Sequence, residues 1–101
     1  MFESDLGARQ VAWVVLLEQC ESHGNEHATV FDTNKRYSRG ILQFQDATFN
    51  YYGEKYGLPH DDIYSKDQQE LIALYMLNQG LDNQWKNCTK KLGHYPTEET
   101  S

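Results

Sequence analysis

The residue best placed for chemistry in this chain is Glu21, an acid that closes an apolar helical pattern. Val11, Val14, Val15 and Glu18 form one i, i+3, i+4, i+7 set, and Val14, Leu17 and Glu21 form its neighbour. The spacing therefore puts Glu21 on the apolar side, in the last turn of its helix. Burial there disfavours the ionised carboxylate, and the negative end of the helix dipole pushes the same way. A carboxyl held protonated near neutral pH is suited to general acid catalysis. The plain alternative is an exposed glutamate at a helix end.

A second cluster follows at Ser38-Arg39-Gly40-Ile41-Leu42-Gln43. Gly40 permits a tight turn or a close approach to a ligand. Ile41 and Leu42 can anchor the segment in a core, and Ser38 and Gln43 offer donors and acceptors at its edges. Most glycoside hydrolases place two carboxylates about the scissile bond. Asp32, between the two clusters, is the candidate for a second acid.

An acid closing a hydrophobic helix as Glu21-Ser22, followed by a Ser-x-Gly-aliphatic-aliphatic-Gln turn, resembles the lysozyme-like superfamily over residues 8–93. The likeness is greatest to its lytic transglycosylase and goose-type lysozyme branches. It implies a mainly α lysozyme-like fold of four to five helices, with a short β-hairpin or loop lobe flanking a cleft. It also implies an enzyme cutting the MurNAc–GlcNAc β-1,4 bond of peptidoglycan, with Glu21 catalytic and Ser38, Gly40 and Gln43 along the substrate groove. Lytic transglycosylases resemble one another in using one glutamate as acid and then base, the sugar's own hydroxyl closing an anhydro ring. Goose-type lysozymes often carry an acid just after the turn's glutamine, where this chain has Gln45. That absence favours transglycosylation over hydrolysis. Asn78-Gln79-Gly80 resembles the end of the transglycosylase Ala-Tyr-Asn-x-Gly element. Its tyrosine is replaced by Leu77, so Tyr75 and Asn78 become the candidate groove residues, against a core tyrosine and a helix C-cap. The reading from another class is a non-catalytic wall-binding module on the same scaffold.

His23-Gly24-Asn25-Glu26-His27 matches the His-x-x-Glu-His pattern of inverted zinc peptidases. That site needs a continuous helix, which Gly24-Asn25 interrupts, and no third ligand stands out; neither a metal nor another cofactor is expected. Asn87-Cys88-Thr89 fits a glycosylation sequon by chance composition.

The elements that must position these groups follow from pattern. Residues 1–7 read as a frayed lead-in with Asp5 as a possible N-cap, then a helix runs from Ala8 to Glu21. Thr29, Val30 and Phe31 have strand propensity, and Asp32-Thr33-Asn34-Lys35 offers turn residues. Asp46 reads as the N-cap of a helix to Tyr56, ended by Gly57 and Pro59, with Tyr51, Tyr52 and Tyr56 read as core packing and sugar stacking as the alternative. Ser65-Lys66-Asp67-Gln68 reads as a capping box opening a helix to Gln79. Asp82 would cap a final helix carrying Trp85, Cys88 and Leu92 on one face. Residues 94–101 read as a flexible tail of this single domain, 1–101.

The formal net charge is -6, and residues 1–34 carry six acids against Arg9 alone. That balance argues against a nucleic-acid partner, which wants a basic face. Binding to glycan strands would depend on short-range groove contacts. No apolar run approaches the roughly 20 residues of a membrane span, and no signal-peptide pattern is visible. The expected form is a monomer or an excised domain of a larger protein. Cys20 and Cys88 would tie the first helix to the last if bridged, which implies an extracytoplasmic, oxidising compartment. Two buried free thiols are the alternative.

Overall fold

A computed structural model describes residues 2–97, with side chains from Leu6 onward. It is mainly helical with one small sheet. Helix α1 (Phe2–Ser22) leads to strands β1 (Thr29–Phe31), β2 (Tyr37–Arg39) and β3 (Phe44–Gln45). Helices α2 (Asp46–Tyr56) and α3 (Lys66–Asn78) follow, then a 3-10 turn (Asp82–Trp85) and α4 (Lys86–Leu92). The sheet is antiparallel in the order β1-β2-β3, with Phe31 opposite Tyr37 and Ser38 opposite both Val30 and Gln45. Among the described residues no helix is long and apolar enough to cross a membrane.

The core gathers residues from the helices, the 3-10 turn, the turn after β2 and strand β3, while β1 is exposed along its length. Phe44 is fully buried, its ring meeting Phe49 and Trp85 edge-on at 5.7 and 5.6 Å. Leu17, Leu42, Ile72, Met76 and Leu77 complete the centre. Burying each such side chain contributes roughly 1.5–3 kcal/mol. The Trp85 indole nitrogen donates to the Leu42 carbonyl at 2.8 Å, so the last helix is tied to the turn before β3. Cys20 and Cys88 are disulfide-bonded, joining α1 to α4 across 68 residues.

Several local expectations give way to packing. The lead-in is helical from Phe2, so Asp5 lies inside α1 rather than capping it. Acids in a first turn suit the positive end of the helix dipole, and extending a formed helix costs little. Val11 and Val15 face solvent, while Trp13, Val14, Leu17 and Glu18 form the buried seam. Asp46 begins α2 without capping it, its carboxylate instead meeting Arg39 at 3.3 Å. Ser65 does cap α3, but Gln68 turns its side chain to Asp61 and Asp62, leaving half a capping box. Asp82 opens the 3-10 turn and holds His94 at 2.8 Å. Part of the supposed tail is docked: Tyr95 is buried edge-on against Trp13, and Gln10 donates to the Pro96 carbonyl. Residues 98–101 of that tail lie outside the described residues.

Candidate active site

The end of α1 divides the labour of the Glu21-Ser22 pair. Ser22 is buried, its hydroxyl donating to the Ile41 carbonyl at 2.7 Å, so the helix end is fastened to the turn after β2. His23 and Gly24 then take positive φ angles of 55° and 76°, and their amides close on the carbonyls of Gln19 and Glu18. This ends the helix before the His-x-x-Glu-His stretch can wind, and no group of metal-ligating side chains is found among the described residues. Glu21 is left half-buried, with no hydrogen bond to its carboxyl from the described residues. Its pKa is pushed up from an ordinary 4.5 to about 7, first by desolvation and then by the charge of Asp32.

Asp32 stands at the end of β1, where the hairpin begins to turn. Its Oδ2 accepts hydrogen bonds from the Ser38 hydroxyl and, at 2.9 Å, from Gln45 Nε2. Gln45 is itself paired with Asn34 through both amide groups, at 3.1 and 3.2 Å. Ser38 is buried, so it works as a brace for Asp32. Alternation places Ser38 of β2 and Gln45 of β3 opposite one another, which is why both reach the same carboxylate.

The turn beyond β2 is held by α3. Gln69, fully buried, accepts from the Leu42 amide and donates to the Arg39 carbonyl, each at 2.8 Å. Gly40 has φ +81°, and a β-carbon there would collide with the Gln69 amide nitrogen. Glycine is required on both counts. Gln43, at φ +55°, folds its side chain back so that Nε2 donates to the Gly40 carbonyl at 2.9 Å, with the Ala28 carbonyl at 3.3 Å. Left-handed backbone at a non-glycine residue costs about 1–2 kcal/mol.

Glu21, Asp32, Ser38, Gly40 and Gln43 thus form one region where α1, the sheet and the turn meet. Tyr75 and Asn78 do not join it through any hydrogen bond, ion pair or ring contact among the described residues. The half-exposed Tyr75 ring meets Tyr56, which stacks on Tyr52; Tyr51 is largely exposed beside them. Asn78 is exposed in the last turn of α3, and Leu77 is buried in the core.

Sequence reasoning missed the roles of Gln45 and Gln69. The second had a signal: Gln69 lies on the stripe with Ile72, Ala73, Met76 and Leu77, and a lone amide on an apolar helix face needs internal partners. Comparison of the chain with family models, curated proteins and solved structures finds no match.

Proposed function

We propose that this protein is a peptidoglycan-cleaving glycosidase of lysozyme-like architecture, acting on the MurNAc–GlcNAc β-1,4 bond as a lytic transglycosylase. The observation that carries the reading is Glu21: a half-buried carboxyl, free of hydrogen bonds from the described residues, raised to about 7 beside a braced Asp32. A general acid needs that combination, because it must be protonated near neutral pH and accessible to substrate.

Glu21 would donate its proton to the glycosidic oxygen as the bond to the anomeric carbon breaks. The carboxylate so formed would take the proton of the muramyl C6 hydroxyl while that oxygen closes on the anomeric carbon. Asp32, its Oδ2 engaged by Ser38 and Gln45, would serve as a fixed negative charge facing the developing oxocarbenium ion. Its presence near Glu21 also supports a second reading, a hydrolytic muramidase in which Asp32 assists water. The disulfide favours an extracytoplasmic site of action.

Digestion of purified peptidoglycan followed by mass spectrometry tests this. Anhydro-ended muropeptides from the wild type, and none from Glu21→Gln, are expected. Reducing-end products move the reading to hydrolysis. Wall binding without any cleavage by the wild type would leave the scaffold as a binding module.

A further inference from the structure

We infer that the tip of the β1–β2 hairpin recognises the carboxylates of peptide-substituted glycan strands, making the protein selective for peptide-bearing wall over bare glycan. This rests on the reading of Glu21 as a peptidoglycan-cleaving acid and names the substrate feature read beside it.

The hairpin and the strand after it oppose the charge of the rest of the chain. Residues 29–45 hold Lys35, Arg36 and Arg39 against Asp32 alone, in a protein of net charge -6. Arg39 is already engaged, by Asp46 at 3.3 Å and over the Tyr37 ring at 5.2 Å. Lys35 and Arg36 are exposed and make no ion pair among the described residues. Charges farther apart than the Debye length, about 8 Å at physiological salt, are largely screened. For a net-acidic protein, electrostatic attraction to an anionic polymer therefore depends on cations that touch it.

The backbone supplies an independent observation. Lys35 has φ +65°, in a turn closed by its amide on the Asp32 carbonyl (2.9 Å) and the Asp32 amide on the Arg36 carbonyl (2.8 Å). Hairpin turns of this kind favour glycine or asparagine at that conformation. A lysine there strains the turn; the turn is closed by backbone bonds and by the Arg36 amide on Asn34 Oδ1 (3.1 Å), and none of these bonds involves the Lys35 side chain. Such violations of local preference concentrate where a side chain serves a function.

The location fits. Asp32, the charge felt by Glu21, is the residue that the Arg36 carbonyl holds. Just behind the tip, Phe31 and Tyr37 pair across the strands with centroids 5.0 Å apart, and they are 60% and 46% exposed. Their rings offer an apolar ledge for sugar or alanyl faces beside the two cations.

The test uses the full chain. Glu21→Gln protein is sedimented with intact insoluble peptidoglycan and with the same wall stripped of peptides by an amidase. Tighter binding to the peptide-bearing wall, by about tenfold for two exposed charge contacts, is expected. Adding Lys35→Gly and Arg36→Gln should erase that difference without lowering Tm, since glycine suits the turn; Lys35→Arg should keep it. Equal affinity for both walls, an equal loss on both, or stronger binding to a polyphosphate chain would overturn the inference. So would a preference that survives loss of both charges. Failure of the wild type to cut glycan defeats the catalytic reading alone, because the preference is measured on the Glu21→Gln protein.

Discussion

Glu18 and Glu21 stand one turn apart on α1, and both have pKa values well above an ordinary carboxyl. Their surroundings differ. Glu18 is 4% exposed, and one of its two carboxyl oxygens, Oε2, has no hydrogen-bond partner among the described residues. Its pKa is pushed up to about 8, chiefly by desolvation and then by a hydrogen bond and like-charge repulsion from Glu70. Glu70 also lines an apolar groove with Val11, Val14, Val15 and Leu74. Glu21, by contrast, is only partly covered, and its charged neighbour is braced on a separate lobe. Desolvation raises both groups, so a raised pKa alone does not mark a catalytic acid. On the proposed reading, access, together with the company each carboxyl keeps, separates a buried structural proton from one available to substrate.

The strongest way to break this distinction is to neutralise each acid in turn. If, as proposed, one group serves both proton transfers, Glu21→Gln should reduce cleavage of purified peptidoglycan by on the order of 10³-fold or more. Glu18→Gln should stay within about tenfold of wild type, as expected for a group outside the reacting geometry. The reverse ranking in the same assay would transfer the catalytic role to Glu18.

Cys20 lies between the two acids, so its bridge to Cys88 holds both environments at once. On the chain-entropy model a loop of this size is worth about 4 kcal/mol. Reduction should lower Tm by roughly 15–30 °C in a domain of this length. A thermal scan unchanged by reductant would show that packing around Trp85 and Leu42 suffices without the link.

Glu18 sets a smaller, pH-dependent effect with an unusual sign. Below about pH 4.5 it is protonated in both folded and unfolded chains. Between that value and about 8 the folded chain holds a proton that the unfolded chain has released, so its stabilising contribution falls as pH rises. Denaturant titrations between pH 5 and 9 should show a loss on the order of 2 kcal/mol from this group. Glu18→Gln should make the profile shallower, the remaining slope up to about pH 7 belonging to Glu21, which is raised in the same sense. A variant whose profile runs parallel to wild type would remove Glu18 as its source.

The contrast between the two acids was only half legible in the sequence. Helix content, the hairpin at Thr29–Phe31 and the stop at Gly57 follow from local chemistry. The buried face of α1 does not, because residues 11–17 are apolar on every side and only the partners choose Trp13 over Val11 and Val15. Glu18 stood in an apolar set, but nothing local named Glu70, more than fifty positions away, as its companion. Strand β3 is two residues long and exists through its register with β2, which no window of sequence contains. Gln45 was readable as a missing acid; its service to Asp32 needed the sheet.

The smallest expected effect sharpens the role of that second carboxylate. Asp32 is a negative charge that raises Glu21, so Asp32→Asn should lower the Glu21 pKa and move the alkaline limb of kcat/KM to lower pH. Asparagine keeps an oxygen for Ser38 and Gln45, so the brace and Tm should change little. If Glu21 performs both proton transfers, the rate at the new optimum should remain within about tenfold of wild type, the scale of a lost electrostatic contact. If Asp32 activates water, the loss should approach 10²- to 10⁴-fold at every pH, because asparagine cannot accept the proton. The pH profile and the product masses then have to agree. A displaced limb with anhydro ends supports the single-acid mechanism, whereas a dead variant in a protein yielding reducing ends assigns Asp32 the base.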